Sequence, residues 1–564
     1  MHGAGLESFG DKGKPERLPM PAFGPDEILV RVDAVGLCFS DVKLITQGNQ
    51  HKRILGRDLQ TKPATPGHEV SVTVVGVGES KREDFRIGDR FIVQADVYYN
   101  GANLAFGYAL TGGFSQYVVM GKEILTGDEG CYLIPVKPET GYVEAALVEP
   151  WTCVVAAYRI RHRRTIKPGG CCLILTQCSP DHMKAAVISR GIQPESHPAK
   201  LVLAGDLGAL GKKLHALTRA EHLDMELVEV GPLSVGSLVE VTKAQTSGAG
   251  FDDIISFGKP PAELAEALSA GLAKGGILNM ICERPDASPV RVDVGRIHYA
   301  GTSFVGCSGP DAALSYMLSR DSELLPDGNA WYIGAAGPMG QMHVQLALRK
   351  RNGPKRILCT DVDNGRLASL RDNVQGLADS AGARIEFVNP MDVGDEGLRK
   401  AINDLTDGRG FEDVILLAPV AKLIEQASEY LGDGGVLNIF AGVPEGTMAE
   451  LDLSRICLRQ HRYMGSSGSR PQDMVDTLAM TERGEISTSD SCAAIGGIET
   501  IGEGVEAVKT GRFPGKTVIF PQTSGLPLIA LPDLHTVLPD VAAKLREGRF
   551  WTKEAEEELL REKL

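Results

Sequence analysis

Asn329-Ala-Trp-Tyr-Ile-Gly334-Ala335-Ala336-Gly337-Pro338-Met339-Gly340 is an apolar run that breaks into glycines and leads into the apolar stretch QMHVQLALR. Small residues at such a turn let the backbone approach a pyrophosphate and present N–H groups at a helix N-terminus. The next apolar run, RILCTD, ends in Asp361, 21 residues after Gly340. An acid there accepts hydrogen bonds from the adenosine ribose hydroxyls and repels a 2′-phosphate. Strand, turn, helix, second strand and acid thus come in dinucleotide-binding order. The pattern predicts that NAD, in preference to NADP, binds at Gly334, Ala335, Gly337, Pro338, Met339, Gly340 and Asp361.

Upstream, the same texture occurs once before. KPGGCCLILTQCSPDHMKAAV matches LPDGNAWYIGAAGPMGQMHVQ, with Pro180 standing 158 positions before Pro338. Phe251 in GAGFDDIISF precedes Phe411 in GRGFEDVILL by 160, while KGGILNM and VDVGRI recur 159 positions on as DGGVLNI and LDLSRI. Four matches in order at a near-constant offset indicate duplication. Strand-like runs alternating with amphipathic helical stretches predict βαβ units on parallel sheets. The chain is read as two tandem Rossmann-like, doubly wound units, 151–310 and 311–465. Opposite Gly334, Gly337 and Gly340 the first repeat has Thr176, Ser179 and His182. His182 would occupy space the phosphates need, so this repeat is expected to keep the fold without the ligand and to serve in packing or assembly.

Before the repeats, residues 1–150 carry short alternating runs (ILVRVDAVGL, VSVTVVGVG, RFIVQADV) broken by Gly, Pro and Asp, which predicts a compact β-rich domain. After them, 466–524 reads as a segment returning to that domain, and 525–564 as a tail ending in a polar amphipathic helix, read as solvated in preference to capping an interface. With 564 residues the chain exceeds one core. A net charge of −14 argues against a nucleic-acid partner. No signal-peptide pattern or apolar run of membrane-spanning length is found, so a cytoplasmic protein with a small-molecule substrate and no membrane partner is expected, as is a homo-oligomer. The eleven scattered cysteines read as reduced thiols.

Three short motifs carry metal-ligand types: Gly36-Leu-Cys38-Phe-Ser40-Asp41, then Gly67-His68-Glu69, then Val148-Glu149-Pro150. Three protein ligands and an open position describe a catalytic zinc site. A lone cysteine is commonly a small buried hydrophobe and a lone histidine a satisfied core group. Their combination with a dinucleotide unit favours the metal.

With these motifs the chain resembles the medium-chain zinc dehydrogenases, among them alcohol, sorbitol and threonine dehydrogenases and sorbose-phosphate reductases, over roughly 25–160 and 325–521. The resemblance implies a GroES-like catalytic domain and one catalytic zinc per chain, with Cys38, His68, Glu69 (directly or through water) and Glu149 as ligands. Cys153 is the alternative third ligand. Ser40 falls on the proton-relay position and Asp41 on the carboxylate that orients the histidine. Lys43 replaces a relay histidine found in many relatives, and Ala335 replaces the first fingerprint glycine. No cysteine lies between Cys38 and Cys131, so the four-cysteine structural zinc lobe is missing.

The implied activity is hydride transfer between NAD(H) and a secondary alcohol or ketone of a polyol, sugar or sugar phosphate. A threonine-type amino-alcohol dehydrogenase and a non-catalytic NAD-binding scaffold are the alternatives. The basic run His51, Lys52, Arg53, Arg57 and Lys62 is read as a solvated loop, with a phosphate-holding role left open.

Overall fold

The computed structural model describes residues 1–564 except 12, 179–182, 284–286 and 564. Ser179, Pro180 and His182 lie outside the described residues. Two compact units emerge: residues 1–156, 336–349 and 468–564 form one, and 157–335 with 350–467 the other. This division cuts the chain at the glycine turn, after Ala335, so that the strand Asn329–Ile333 is assigned to the second unit and the helix Pro338–Arg349 to the first.

In the first unit the organising strand is Ile28–Gly36, ILVRVDAVG, whose residues are buried on nearly every position. It pairs antiparallel with Glu69–Val77, Tyr117–Met120 and Lys516–Phe520. The last pairing brings the return segment back beside the N-terminal domain. The C-terminal tail departs from the sequence expectation. Trp551, Ala555 and Leu559 are buried in a core cluster with Val143, Leu147 and Phe520. The buried Glu556 carboxylate accepts the N–H groups of Tyr142 (2.5 Å) and Val143 (2.8 Å), capping a helix start. Only one face of Lys553–Lys563 meets solvent; the apolar spacing buries the other.

The second unit holds two six-stranded parallel sheets of identical order. One runs Glu226–Val230, Lys200–Ala204, Cys171–Thr176, Phe251–Phe257, Leu272–Ile281, Ser303–Cys307. Its counterpart runs Arg384–Val388, Arg356–Thr360, Asn329–Ile333, Phe411–Leu416, Leu431–Ile439, Arg462–Met464. Near-continuous apolar strands such as CCLILT and NAWYI suit this architecture, because both faces of a parallel sheet are covered.

The repeats share one core, with Leu173, Val202 and Phe251 clustering with Trp331, Leu358 and Phe411. They are joined with pseudo-two-fold symmetry. Pro289–Asp293 pairs antiparallel with Met448–Asp452, and Arg291 faces Glu450, its counterpart in the other repeat. The His298 ring hydrogen-bonds the Ile439 carbonyl (3.0 Å), and Cys457, the counterpart of His298, donates to the carbonyl of Met280, the counterpart of Ile439 (3.3 Å). Such reciprocity is the geometry of an isologous interface, here closed within one chain. The first repeat differs in more than glycines: among the described residues, Ala185–Arg190 is not helical, although its counterpart in the second repeat lies within the helix Pro338–Arg349. Among the described residues no helix is long and apolar enough to cross a membrane.

Candidate active site

Strand Ile28–Gly36 runs into Leu37 and Cys38, and the chain then turns into the helix Phe39–Gln47. Cys38 is still extended at this N-cap (φ −121°, ψ 152°), and its N–H donates to Asp41 Oδ2 at 2.9 Å. An acid three residues into a helix satisfies an otherwise orphaned donor. The other oxygen of the fully buried Asp41 accepts the N–H of Gly67 (3.2 Å) and lies 3.3 Å from His68 Nδ1. One carboxylate thus ties together the two loops that carry the thiol and the imidazole. Asp41 holds the His68 imidazolium well above the ordinary histidine range, although burial, the larger influence, opposes it.

The ligand atoms of Cys38, His68 and Glu69 lie within 4.8 Å of one another. Glu69 opens the strand Glu69–Val77 and is fully buried. Its Oε1 pairs with Lys516 Nζ at 2.6 Å, while Oε2 has no partner. Any Cβ at Gly36 would stand 2.2 Å from that Oε2, so the close approach requires glycine. Glu149, on the helix Val148–Ala157, does not join the 4.8 Å triplet but acts on it electrostatically. Burial raises its pKa to about 7; His68 and Lys516 lower it and Glu69 raises it. Cys153 is half-buried near Glu149 and Cys38, and desolvation pushes its thiol pKa up.

Ser40 Oγ is 3.0 Å from Cys38 Sγ and half-buried. Lys43 is exposed, with its ammonium over the Phe39 ring. The basic run is not a purely solvated loop. Its His51 ring stacks on Tyr108 at 5.4 Å, and the Arg53 guanidinium lies over the same ring while pairing with Asp96 at 3.2 Å. Tyr108 in turn packs against the His68 ring at 5.8 Å, and burial pushes its pKa up to about 12. Lys516 and Tyr108 were not singled out in the sequence. Both lie in stretches whose strand or loop character is readable, FPGKTVIFP and FGYALTGG, but nothing local marks either side chain as directed to Glu69 or His68.

At the glycine turn, strand Asn329–Ile333 is wholly buried and Gly334 has φ +80°, a conformation that favours glycine. The N–H groups of Gly334 and Ala335 both donate to Thr360 O, at 2.8 and 3.0 Å. Asp361 follows the adjacent strand Arg356–Thr360, half-buried, and accepts the N–H of Asp363 at 3.2 Å.

Comparison with known proteins gives this arrangement a family. The alcohol dehydrogenase GroES-like domain matches residues 24–127. L-sorbose 1-phosphate reductase of Klebsiella pneumoniae is 30% identical over 307 residues, 52% of this chain and 72% of its own. Mannitol-1-phosphate 5-dehydrogenase of Aliivibrio fischeri is 26% identical over 363 residues, 61% of this chain and 83% of its own. The solved 2R,3R-butanediol dehydrogenase from Bacillus subtilis aligns at 17% identity with a TM-score of 0.48, over 90% of this chain and 95% of that one. The fold is that of an α/β dehydrogenase with a GroES-like domain and parallel dinucleotide-type sheets. The chain belongs to the medium-chain, zinc-dependent alcohol and polyol dehydrogenase family. That membership supports zinc and a nicotinamide cofactor.

Proposed function

We propose that this protein transfers a hydride between NAD(H) and a secondary alcohol or ketone of a phosphorylated polyol or sugar. The observation that carries the reading is the thiol, imidazole and carboxylate of Cys38, His68 and Glu69 within 4.8 Å of one another. The donor set fits zinc. A half-buried thiol, a buried imidazole and a buried carboxylate oxygen without a partner are what a divalent ion would satisfy. Bound zinc supplies Lewis acidity that polarises the substrate oxygen.

The chain's own residues do the rest. Asp41 holds His68 at one ring nitrogen and so selects which nitrogen faces the cluster. Ser40, beside Cys38, passes the substrate proton outward. Lys516 neutralises one oxygen of Glu69 and so keeps a second buried carboxylate, Glu149, tolerable nearby. Asp361, just after the strand Arg356–Thr360, is the acid that would accept the ribose hydroxyls and repel a 2′-phosphate, which supports NAD. A phosphorylated substrate is supported by His51 and Arg53, which share the Tyr108 ring with His68, and by the two phosphate-ester relatives.

The test is NADH-monitored turnover on a polyol and its phosphate ester, with zinc measured in the same preparation. One zinc per chain and a preference for the ester support the reading. Less than one zinc per freshly purified chain with no NADH signal overturns it in favour of a scaffold, and equal efficiency removes the role of Arg53.

A further inference from the structure

A charged side chain unused by the proposed chemistry lies where the two repeats meet. Arg462 begins the edge strand of the second repeat and corresponds to Ser303, which begins the edge strand of the first. It is 1% exposed. Its guanidinium donates to Phe304 O (2.9 Å) and Ser303 Oγ (3.2 Å), and its Nε has no partner. Among the described residues no carboxylate lies within 4.0 Å of it. The nearby Asp321 is already taken, by Arg161 and Arg164 at 2.9 Å each and by His162 at 2.8 Å, and Asp253 is held by Arg163 at 2.7 Å. Burial lowers the Arg462 pKa only to about 10, so the group is a cation at neutral pH. A buried cation without a counter-ion is strongly unfavourable.

Arg462 lines a cavity of about 230 Å³ together with Arg161, Gly301, Thr302, Ser303 and Gly465. The volume falls below the ~300–1,000 Å³ of pockets that enclose larger organic ligands, so a dinucleotide does not fit and a small anion does.

We propose that this cavity is an anion-binding site at the seam of the repeats, taking phosphate or a small phosphate ester as the counter-ion of Arg462. It lies outside the triplet of Cys38, His68 and Glu69 and stands independently of the hydride-transfer reading. Guanidinium groups bind phosphate oxygens through charge-assisted, paired hydrogen bonds, and the Arg462 Nε–H is left without an acceptor in the protein.

The test is equilibrium dialysis of the NADH-saturated full chain against radiolabelled inorganic phosphate, and against glycerol phosphate in a parallel arm, at constant ionic strength. Wild type is expected to bind phosphate saturably, and Arg462→Met to bind it at least tenfold more weakly. Should that variant fail to fold, Ser303→Asp decides. An internal carboxylate beside Arg462 is expected to abolish the phosphate binding and to raise Tm in phosphate-free buffer. Tighter retention of glycerol phosphate assigns the cavity to an ester, and equal or weaker retention to free phosphate. Absence of saturable phosphate binding to wild type, or binding unchanged in these variants, overturns the proposal.

Discussion

Lys516 and Glu69, 447 positions apart in the chain, form an ion pair of 2.6 Å with both side chains 5% exposed or less. Burial opposes the Lys516 charge, yet Glu69, Cys38 and Glu149 hold its pKa above the ordinary value. The pair leaves one oxygen of Glu69 for a metal. Removing the lysine strands a buried carboxylate, which costs about 3–5 kcal/mol. Lys516→Met is therefore expected to lower the stability of chelator-treated protein by that order, and added zinc to restore much of the loss. Melting curves with and without zinc check this; an equal loss in both conditions contradicts it.

Cys38 contributes the one sulfur of the triplet. Cys38→Ser keeps the shape but offers zinc a much weaker ligand. Bound zinc is expected to fall well below one per chain and kcat to drop roughly 1,000-fold. Elemental analysis beside NADH-linked turnover reads both, and full zinc retention would remove Cys38 from the ligand set.

Asp361 is expected to govern cofactor choice. Asp361→Ser removes the ribose acceptor and the repulsion of a 2′-phosphate, so kcat/KM with NADH should fall roughly 10- to 100-fold while that with NADPH rises. Unchanged preference would place the ribose elsewhere.

Glu556 titrates near pH 7, raised from 4.5 by burial against the pull of the Tyr142 and Val143 N–H groups. Between pH 4.5 and 7 the folded state therefore holds more protons than the unfolded state. Stability contributed by this group is present at the acid end of that window and declines as pH rises through it. Tm of wild type should carry this downward slope between pH 5 and 7, and Glu556→Gln should flatten it.

Pseudo-symmetry at the seam predicts matched effects. A Cβ at Gly306 would meet Met280 O at 2.7 Å and Cys457 Sγ at 2.8 Å; at Gly465, the counterpart, it would meet Ile439 O at 2.8 Å and His298 Cα at 3.0 Å. Gly306→Ala and Gly465→Ala should each cost about 1–3 kcal/mol. Hydrogen exchange in Pro289–Asp293 and Met448–Asp452 should speed up together. Loosening of one strand alone would show that the repeats are not locked as a pair.

The amino-acid sequence determined the duplication, the parallel sheets, the β-rich N-terminal domain, and the identities of Cys38, His68 and Glu69 as ligand types. These rest on local signals: apolar periodicity, turn chemistry and short spacings, which survive without knowledge of what packs against them. Tertiary structure alone decided that Glu69 completes the tight triplet while Glu149 acts from the next helix. It also decided that Lys516 arrives by strand pairing, that the tail's Glu556 caps a distant helix, and that Arg462 is buried without a carboxylate. Each depends on long-range register and on the withdrawal of water from charges, and neither is written in any short stretch of chain.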